Sequence, residues 1–189
     1  MGVAVRNLVF YDNASIGDDL ASRFEAPYRP LDLAQDGSNP AYLGMEILDR
    51  RIRISRPSNW IVRAASDRPG ERYIQYLSPR EYIFGVYERQ ELPNARWPDV
   101  VARYEKALKA NHAEILHRAT PMATFNGQGR SFLVRRRVPA AKTPFVNDSR
   151  EYLVRGDNRI VLVQIVLPTD GEAALSQELR RVIDTLALR

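Results

Sequence analysis

The sequence contains no cysteine, and this absence excludes several kinds of chemistry at once. Without cysteine the chain forms no disulfide, has no catalytic thiol and offers no cysteine-ligated zinc site. Histidine is almost as scarce, because His112 and His117 are the only two. Their spacing of five differs from the four-residue spacing of a helical zinc motif. The sequence therefore predicts no metal and no cofactor, with both histidines as ordinary surface or boundary residues.

Long apolar runs are missing as well. The longest apolar-rich run covers residues 160–167 and is interrupted by Gln164. A membrane-spanning helix needs about 20 consecutive apolar residues. We therefore expect no transmembrane helix.

The chain is otherwise rich in apolar residues and in arginine. Its 189 residues are 44% hydrophobic and include nine tyrosines, six phenylalanines and two tryptophans, which is enough for a folded domain with its own core. The formal net charge is +5, yet the only lysines are Lys106, Lys109 and Lys142, so arginine supplies most of the positive charge. A net positive charge is compatible with acidic proteins, nucleic acid or an anionic membrane surface as partners. Because the arginines are scattered, a solvated surface is the simplest interpretation.

The first forty residues differ from the rest of the chain. Their pattern predicts a strand at 3–11, a short helix starting at 15–18 and a proline-rich linker at 25–40. A segment of this length cannot bury a core of its own. We therefore predict an N-terminal extension over residues 1–40, followed by a single domain over 41–189.

The remainder of the chain alternates between strand and helix patterns. Strands are predicted at 44–48, 51–55, 73–77, 81–89, 113–116, 130–138, 151–155 and 159–167. A helix is predicted at 98–110, and a C-terminal helix follows the capping box formed by Thr169 and Glu172. Residues 139–149 are predicted as a loop. This order predicts an α+β fold in which helices flank an antiparallel sheet.

Motifs of common enzymes and nucleic-acid-binding proteins are not found. No Gly-x-Ser-x-Gly sequence occurs, and no spacing supports a Ser-His-Asp triad, although composition leaves one open. The glycine-rich run 126–130 precedes a strand and lacks the Lys-Ser/Thr pair of a phosphate loop, so it indicates a hairpin turn. The strand SFLVRRRV lacks the aromatic spacing of an RNA-recognition motif. The sequence thus names no catalytic residue and no nucleic-acid partner.

The densest basic run lies on one predicted strand. Alternation along a strand places Arg135 and Arg137 on one face, and Arg136 on the other face with Phe132 and Val134. The next hairpin adds three more arginines. The candidate partner-binding residues are Arg135, Arg137, Arg150, Arg155 and Arg159. Such a cluster suits an acidic protein or anionic lipid headgroups. The alternative is ion pairing within the chain, with the acidic residues Asp148, Glu151 and Asp157.

Several segments taken together resemble the PsbP-like superfamily. The sequence RIRISRPSNW at 51–60 is similar to the opening strand of that family, which ends in Pro-x-x-Trp. Residues 82–87 resemble its second long strand, with the helix at 98–110 after it, and 126–130 resemble its turn between middle strands. The final hairpin and the apolar stripe of the last helix resemble the C-terminal end of that family. The stripe consists of Leu179, Val182, Ile183 and Leu186. The resemblance covers residues 44–188.

This resemblance implies a fold and a general role. PsbP-like proteins, which include bacterial DcrB-type and LpqN-type members, form an α/β/α sandwich around an antiparallel sheet. They share no catalytic residues, so the resemblance implies a non-enzymatic role in binding or assembly. Many bacterial members are exported lipoproteins. The expected location is the cell envelope if an export signal and lipobox precede this sequence, and the cytoplasm otherwise.

The leading functional expectation is therefore a non-enzymatic binding or accessory module that holds a protein partner in the bacterial cell envelope. An anionic membrane surface is a further partner to consider, and nucleic acid is not expected. The alternative is a small-molecule-binding protein or an enzyme, with its site between the sheet and the N-terminal extension. Tyrosine and arginine would suit such a site, because together they recognise carboxylate or phosphate groups.

Overall fold

Two antiparallel sheets and two helices make up the part of the chain that the computed structural model describes, namely residues 24–27, 42–89, 94–119, 128–138, 145–156, 159–167 and 177–188. The strands are β1 (Glu25–Pro27), β2 (Tyr42–Ile47), β3 (Ile52–Pro57), β4 (Ile61–Arg68), β5 (Glu71–Leu77), β6 (Ile83–Arg89), β7 (Glu114–Ala119), β8 (Gln128–Val138), β9 (Phe145–Arg155), β10 (Ile160–Val166) and β11 (Ala187–Leu188). The helices are α1 (Trp97–Ala110) and α2 (Gln177–Asp184). The mixed α+β class is as predicted.

The small sheet has the strand order β1-β2-β3-β11. Its centre is the β2–β3 hairpin, in which Ile47 pairs with Ile52, and this confirms the two strands predicted around the turn. Leu48, Asp49 and Arg50 in that turn all have left-handed backbone angles, with φ of 50°, 57° and 62°. Residues with a Cβ avoid this conformation because it brings the Cβ close to the next carbonyl oxygen. The pairing of the flanking strands therefore holds the turn in place.

The large sheet has the order β4-β5-β6-β10-β9-β8-β7. Its central strands are buried on both faces, which explains the nearly continuous apolar pattern of β10. Val161, Val163 and Ile165 point to one face, whereas Ile160 and Leu162 point to the other. The large sheet therefore separates two hydrophobic cores.

One core lies between the large sheet, the small sheet and α2. Trp60 is buried at its centre against Phe84, and the indole Nε1 donates a hydrogen bond to Glu178 of α2 at 2.8 Å. In α2, Leu179 and Val182 are buried at helical spacing, which confirms this part of the predicted stripe. The capping box predicted at Thr169 lies outside the described residues.

The second core lies under α1, on the opposite face of the large sheet. The helix buries Val100, Tyr104 and Leu108 and begins one residue before the prediction. It has a proline in its first turn and ends beside His112, which adopts a left-handed backbone with φ of 56°. We call the face of the large sheet that α1 covers the α1 side.

Three predictions about strands need correction. The strands form two sheets, whereas a single sheet was expected, and β4 and β11 were not predicted. The predicted loop at 139–149 is wrong from residue 145 onward, because β9 begins there and pairs with β8 as far as Val138. Asp148 and Ser149 look like turn residues in the sequence, yet both occupy cross-strand positions in this pair.

The linker predicted at 25–40 is wrong for its first three residues. These residues form β1, which pairs with β2 in the small sheet. Glu25 is buried there and forms an ion pair with Arg56 of β3, with 2.7 Å between Oε2 and Nη2. The rest of this linker, the strand predicted at 3–11 and the helix predicted to start at 15–18 lie outside the described residues.

Candidate functional site

A line of polar residues crosses the α1 side of the large sheet at one register position. Gln75 pairs with Gly85, Gly85 pairs with Gln164, and Gln164 pairs with Glu151. We call these four residues the polar row. Paired residues on neighbouring strands lie close enough for their side chains to interact. The row therefore places polar side chains from three strands at one register position on the α1 side.

Glu151 is the fully buried end of this row and is held by four groups of the protein. Its Oε1 accepts hydrogen bonds from Gln164 Nε2 at 2.7 Å and from Ser149 Oγ at 2.9 Å. It also forms an ion pair with Arg136, with 2.6 Å between Oε1 and Nη1. Its Oε2 accepts a hydrogen bond from the hydroxyl of Tyr104. Both oxygens of Glu151 are thus bound within the protein, which favours a structural role over that of a general base.

Tyr104 connects this carboxylate to α1. Burial, followed by the negative charge of Glu151, raises the pKa of Tyr104, so the phenol stays protonated and remains a donor. Its ring also packs against Phe132, with 5.4 Å between the ring centroids. The helix is therefore attached to the sheet by an aromatic contact and a buried hydrogen bond together.

The hydrogen bonds continue from Glu151 toward the edge of the sheet. Gln164 Oε1 accepts from the Tyr87 hydroxyl at 3.3 Å, and that hydroxyl accepts from Gln75 Nε2 at 2.7 Å. Gln75 Oε1 accepts in turn from Arg63 on β4 at 3.4 Å. Every donor in this chain points toward Glu151. Hydrogen bonds aligned in this way polarise and strengthen one another.

Gly85 leaves the space in which the Tyr87 ring lies. A Cβ at this position would come within 2.6 Å of Tyr87 Cε2. We expect Gly85→Ala to displace the ring from Gln75 and Gln164 and to cost about 1–3 kcal/mol of unfolding free energy. Urea denaturation measures this cost. In a Tyr87→Ala background the same change should cost much less, and an equal cost there would contradict the explanation.

The structure divides the five candidate arginines among three places. Arg135 and Arg137 lie on the face opposite α1, and Arg136 lies on the α1 side, which confirms the predicted alternation. Arg150 alternates with Glu151 along β9, so it shares the face of Arg135.

The remaining two arginines lie apart from these three. The guanidinium of Arg155 lies 5.7 Å from the Trp97 ring centroid and donates a hydrogen bond to the carbonyl of Ala95. Arg159 lies near Glu88, with 3.7 Å between Nη1 and Oε1. The five candidate residues therefore do not form one surface.

We call the surface formed by Arg135, Arg137, Arg150, Leu133 and Val146 the basic face. Val146, near the start of β9 where this strand pairs with β8, is 43% exposed. Arg135 binds Asp148 in a two-pronged ion pair at 2.8 and 2.9 Å, and the hydrogen bond from Arg135 lowers the pKa of Asp148.

Ion pairing with the acidic residues considered above, the predicted alternative for the arginines, is observed for two arginines of the described segments, and Arg159 pairs with Glu88 instead. Arg135 pairs with Asp148, and Arg136 pairs with Glu151. Asp157, the third acidic residue considered, lies outside the described residues. Arg137 lies exposed opposite Val146.

A cavity of about 310 Å³ lies beside β1, where the small sheet faces the first strands of the large sheet. It is lined by residues of β1, the β2–β3 turn, β4 and β5, and we call it the β1 cavity. This is where a site between the sheet and the N-terminal extension would lie. Three of its acids pair with arginines, in the pairs Glu25–Arg56, Glu46–Arg53 and Asp49–Arg72.

Sequence reasoning missed Glu151, Tyr104 and Gln75 as members of one network. The available signals were Gln164 inside an apolar run and Gly85 inside a strand that is apolar on both faces. Each marks a point where the apolar pattern of a central strand is broken. Because the breaks in β6 and β10 face each other, they become informative only when the strand register is known.

Two further observations concern the described residues. Among them, no three histidine, aspartate or glutamate side chains come together as a set that could hold a metal ion. Neither α1 nor α2, the two helices described, is long and apolar enough to cross a membrane.

Comparison with known proteins identifies no family for this chain. No protein-family model matches the sequence, and no curated protein matches it. A crystal structure from Bacteroides thetaiotaomicron VPI-5482 is similar, with a TM-score of 0.46 and 16% sequence identity. The similarity covers 74% of this chain and 46% of that one, so the present chain spans less than half the length of the structure it matches. Neither a function nor a finer fold family follows from a likeness of this extent.

Proposed function

We propose that the chain is a non-enzymatic binding module that holds an acidic protein partner on its basic face. We further propose that it is a PsbP-like sandwich acting in the bacterial cell envelope. The sequence resemblance supports this proposal, and so does the packing of helices on both faces of an antiparallel sheet. The observation that carries the binding function is the basic face itself, which displays arginines and the exposed Val146 on two paired strands.

The composition of the basic face suits recognition of a protein. Arginine is enriched at protein interfaces because its planar group combines apolar contact with several hydrogen bonds. Leu133, which lies next to Arg135 on this face, and Val146, which lies opposite Arg137, add apolar surface to the arginines. On this face Asp148 is already bound by Arg135, so a partner's carboxylates would meet the exposed Arg137 and the apolar residues around it. The charge of the face thus favours an acidic segment.

The surroundings of Glu151 support a non-enzymatic role. Both oxygens of this buried carboxylate are bound by groups of the protein, which favours a structural role over contact with a substrate. The alternative, a small molecule bound between the sheet and the N-terminal extension, stays a prediction. It has the β1 cavity in its favour, but the ion pairs within that cavity point to no particular ligand.

The test is binding of a defined acidic peptide that carries aspartate, glutamate and one aromatic residue. Reversing two charges in Arg135→Glu/Arg137→Glu should weaken binding about tenfold or more, with strong salt dependence. The matched control is Arg68→Glu/Arg103→Glu, which makes the same charge change on exposed residues of β4 and α1. Fluorescence anisotropy measures the affinity, and circular dichroism checks that each variant is folded.

Three outcomes would contradict the proposal. Unchanged affinity in Arg135→Glu/Arg137→Glu would show that the partner binds elsewhere. Equal weakening in the control pair would show that only net charge matters. Binding to anionic vesicles in place of the peptide would identify a membrane surface as the partner.

A further inference from the structure

We propose that a second cavity, on the α1 side of the large sheet, binds a free α-amino acid with an aromatic side chain. The cavity lies over β5, β6 and β10 and has a volume of about 290 Å³. Ligand pockets commonly measure about 300–1,000 Å³, so a ligand of this cavity is small. We call it the tyrosine cavity. The side chains that line it on the α1 side belong to Glu71, Tyr73, Tyr87, Arg89, Leu162 and Gln164.

The register of the strands places these side chains on one face of the sheet. Tyr73 pairs with Tyr87, and Tyr87 pairs with Leu162, which is buried in the core under α1. Side chains two residues apart on a strand point to the same face. Glu71 therefore lies on the same face as Tyr73, and Arg89 on the same face as Tyr87.

The wall of the cavity is aromatic and held in a fixed position. The rings of Tyr73 and Tyr87 lie 5.7 Å apart, centroid to centroid, with 30° between their planes. The Tyr87 hydroxyl is hydrogen-bonded to Gln75 and Gln164, so this ring is anchored to the polar row. Burial, the largest influence, raises the pKa of Tyr87, so its hydroxyl stays neutral. The wall therefore offers an uncharged surface against which the ring of a ligand packs well.

Two opposite charges line the same cavity without an ion pair. Glu71 and Arg89 do not pair with each other, and neither pairs with another residue in the described part of the chain. Arg72 and Glu88, which also border the cavity, differ in this respect. They alternate with the lining side chains and pair with each other on the opposite face, with 3.6 Å between Nη1 and Oε2. On the α1 side the cavity thus presents an unpaired cation next to an unpaired anion.

The contact that Arg89 does make leaves its hydrogen-bonding groups available. Its guanidinium lies over the Tyr104 ring of α1, 5.6 Å from the ring centroid. A guanidinium in this arrangement uses its flat face, whereas its N–H donors point outward in the plane of the group. These donors can bind a carboxylate through two parallel hydrogen bonds. Because Arg89 is half-buried, its attraction for a carboxylate is screened less than in bulk water.

An aromatic α-amino acid matches all three features of the cavity. Its carboxylate would bind Arg89, its ammonium group would bind Glu71, and its ring would pack against the tyrosine wall. The faces of tyrosine rings also attract an ammonium group. Both charges of such a ligand are attached to one carbon atom, so the ligand needs a cation and an anion of the protein close together. Glu71 and Arg89 meet this need, because they lie on neighbouring strands just beyond the Tyr73–Tyr87 pair.

The experiment is calorimetric titration of the full chain with L-phenylalanine, with phenethylamine, which lacks the carboxylate, and with 3-phenylpropanoate, which lacks the ammonium group. We expect saturable binding of phenylalanine and weaker binding of both analogues. Arg89→Gln should weaken phenylalanine and 3-phenylpropanoate about tenfold and should not weaken phenethylamine. Glu71→Gln should weaken phenylalanine and phenethylamine about tenfold and should not weaken 3-phenylpropanoate.

Two kinds of control separate this site from other effects of charge. Arg80→Gln and Glu81→Gln make the same charge changes on exposed residues of the turn between β5 and β6, at the other end of these strands. Neither should alter the affinity for phenylalanine. The basic face lies on the opposite face of the sheet, so Arg135→Glu/Arg137→Glu should also leave this affinity unchanged. The amino-acid site and the proposed protein partner can therefore fail separately.

Several results would overturn the proposal. They are no saturable binding of phenylalanine, an affinity for phenylalanine unchanged by either site variant, or an equal loss in the Arg80→Gln and Glu81→Gln controls. Binding of an analogue as tight as that of phenylalanine would also contradict it, because one of the two charges would then contribute nothing. Circular dichroism checks the folding of each variant. If Arg89→Gln fails to fold, Glu71→Gln decides the question, because Glu71 is exposed and forms no ion pair among the described residues.

Discussion

Replacing Glu151 by glutamine is expected to lower the free energy of unfolding by about 3–5 kcal/mol. The amide keeps the shape of the side chain but removes the charge that faces Arg136. It also brings an NH₂ group against neighbours that already donate, namely Ser149, Gln164 and Tyr104. At least one donor is then left buried without an acceptor, and each such loss costs about 1–3 kcal/mol.

Urea denaturation gives this value directly from the midpoint and slope. The matched control is Glu105→Gln on α1, which removes a carboxylate from the more exposed ion pair with Arg118. Pairs of that kind contribute about 0–1 kcal/mol. Tyr104→Phe removes a single hydrogen-bond donor to Glu151, and its loss of unfolding free energy should lie between the losses of the other two variants. If Glu151→Gln proves as mild as Glu105→Gln, the buried network is not what stabilises the sheet.

The second large effect is expected for Arg56→Met. Arg56 is 7% exposed and donates two hydrogen bonds to the fully buried Glu25, at 2.7 and 3.1 Å. It also donates to the carbonyls of Pro57 and Trp60, at 3.1 and 3.0 Å. Burial opposes the charge of Arg56, but hydrogen bonding and attraction to Glu25 outweigh burial and raise its pKa. The substitution leaves the buried carboxylate of Glu25 without its cation, and we expect it to lower the free energy of unfolding by about 3–5 kcal/mol.

Hydrogen exchange identifies where this cost arises. Arg56→Met should expose the amides of β2 that face β1, because the ion pair holds β1 on the small sheet. Arg53→Met on the same strand is the control, since its ion pair with Glu46 is more exposed. The double variant Arg56→Met/Glu25→Met should recover much of the loss, because two apolar groups replace a buried pair at little cost. A double variant as unstable as Arg56→Met would contradict this explanation.

Local signals were sufficient to predict some elements. The β2–β3 hairpin followed from two apolar strands around a short turn. Helix α1 followed from Pro98, Asp99 and an apolar stripe, and the structure buries Tyr104 and Leu108 from that stripe. In each case the residues that specify the element lie within a few positions of one another. Short-range patterns therefore predicted these elements correctly.

Elements stabilised by distant residues were missed. Strand β4 lies at the end of the large sheet, and half of its side chains are polar, without the alternation of a half-buried strand. The first half of β9 resembles a loop in sequence, yet Asp148 is held by Arg135 and Ser149 by Arg136, both on β8. These side chains act across strands. A propensity scale cannot register such contacts.

The same limit applies to the candidate site. Alternation correctly placed Arg135 and Arg137 on one face, but it could not show that Arg155 packs on Trp97 at the start of α1. Glu88 on β6 is approached by Arg51 of the β2–β3 turn, Arg72 of β5 and Arg159 just before β10, which are far apart in the sequence. Only the strand order brings them together.

The polar row also bears on how the strands find their correct alignment while folding. Side chains alternate between the two faces of a sheet, so a slip of one residue would move Gln164 or Glu151 into the apolar core on the other face. Apolar residues exchange places in such a slip at modest cost, whereas an ionised carboxylate without its partners is strongly disfavoured. Apart from Gln164, β10 consists of valine, leucine and isoleucine, which can replace one another. The polar row thus disfavours a pairing of these strands that is shifted by one residue, and its removal should permit misaligned sheets as well as less stable ones.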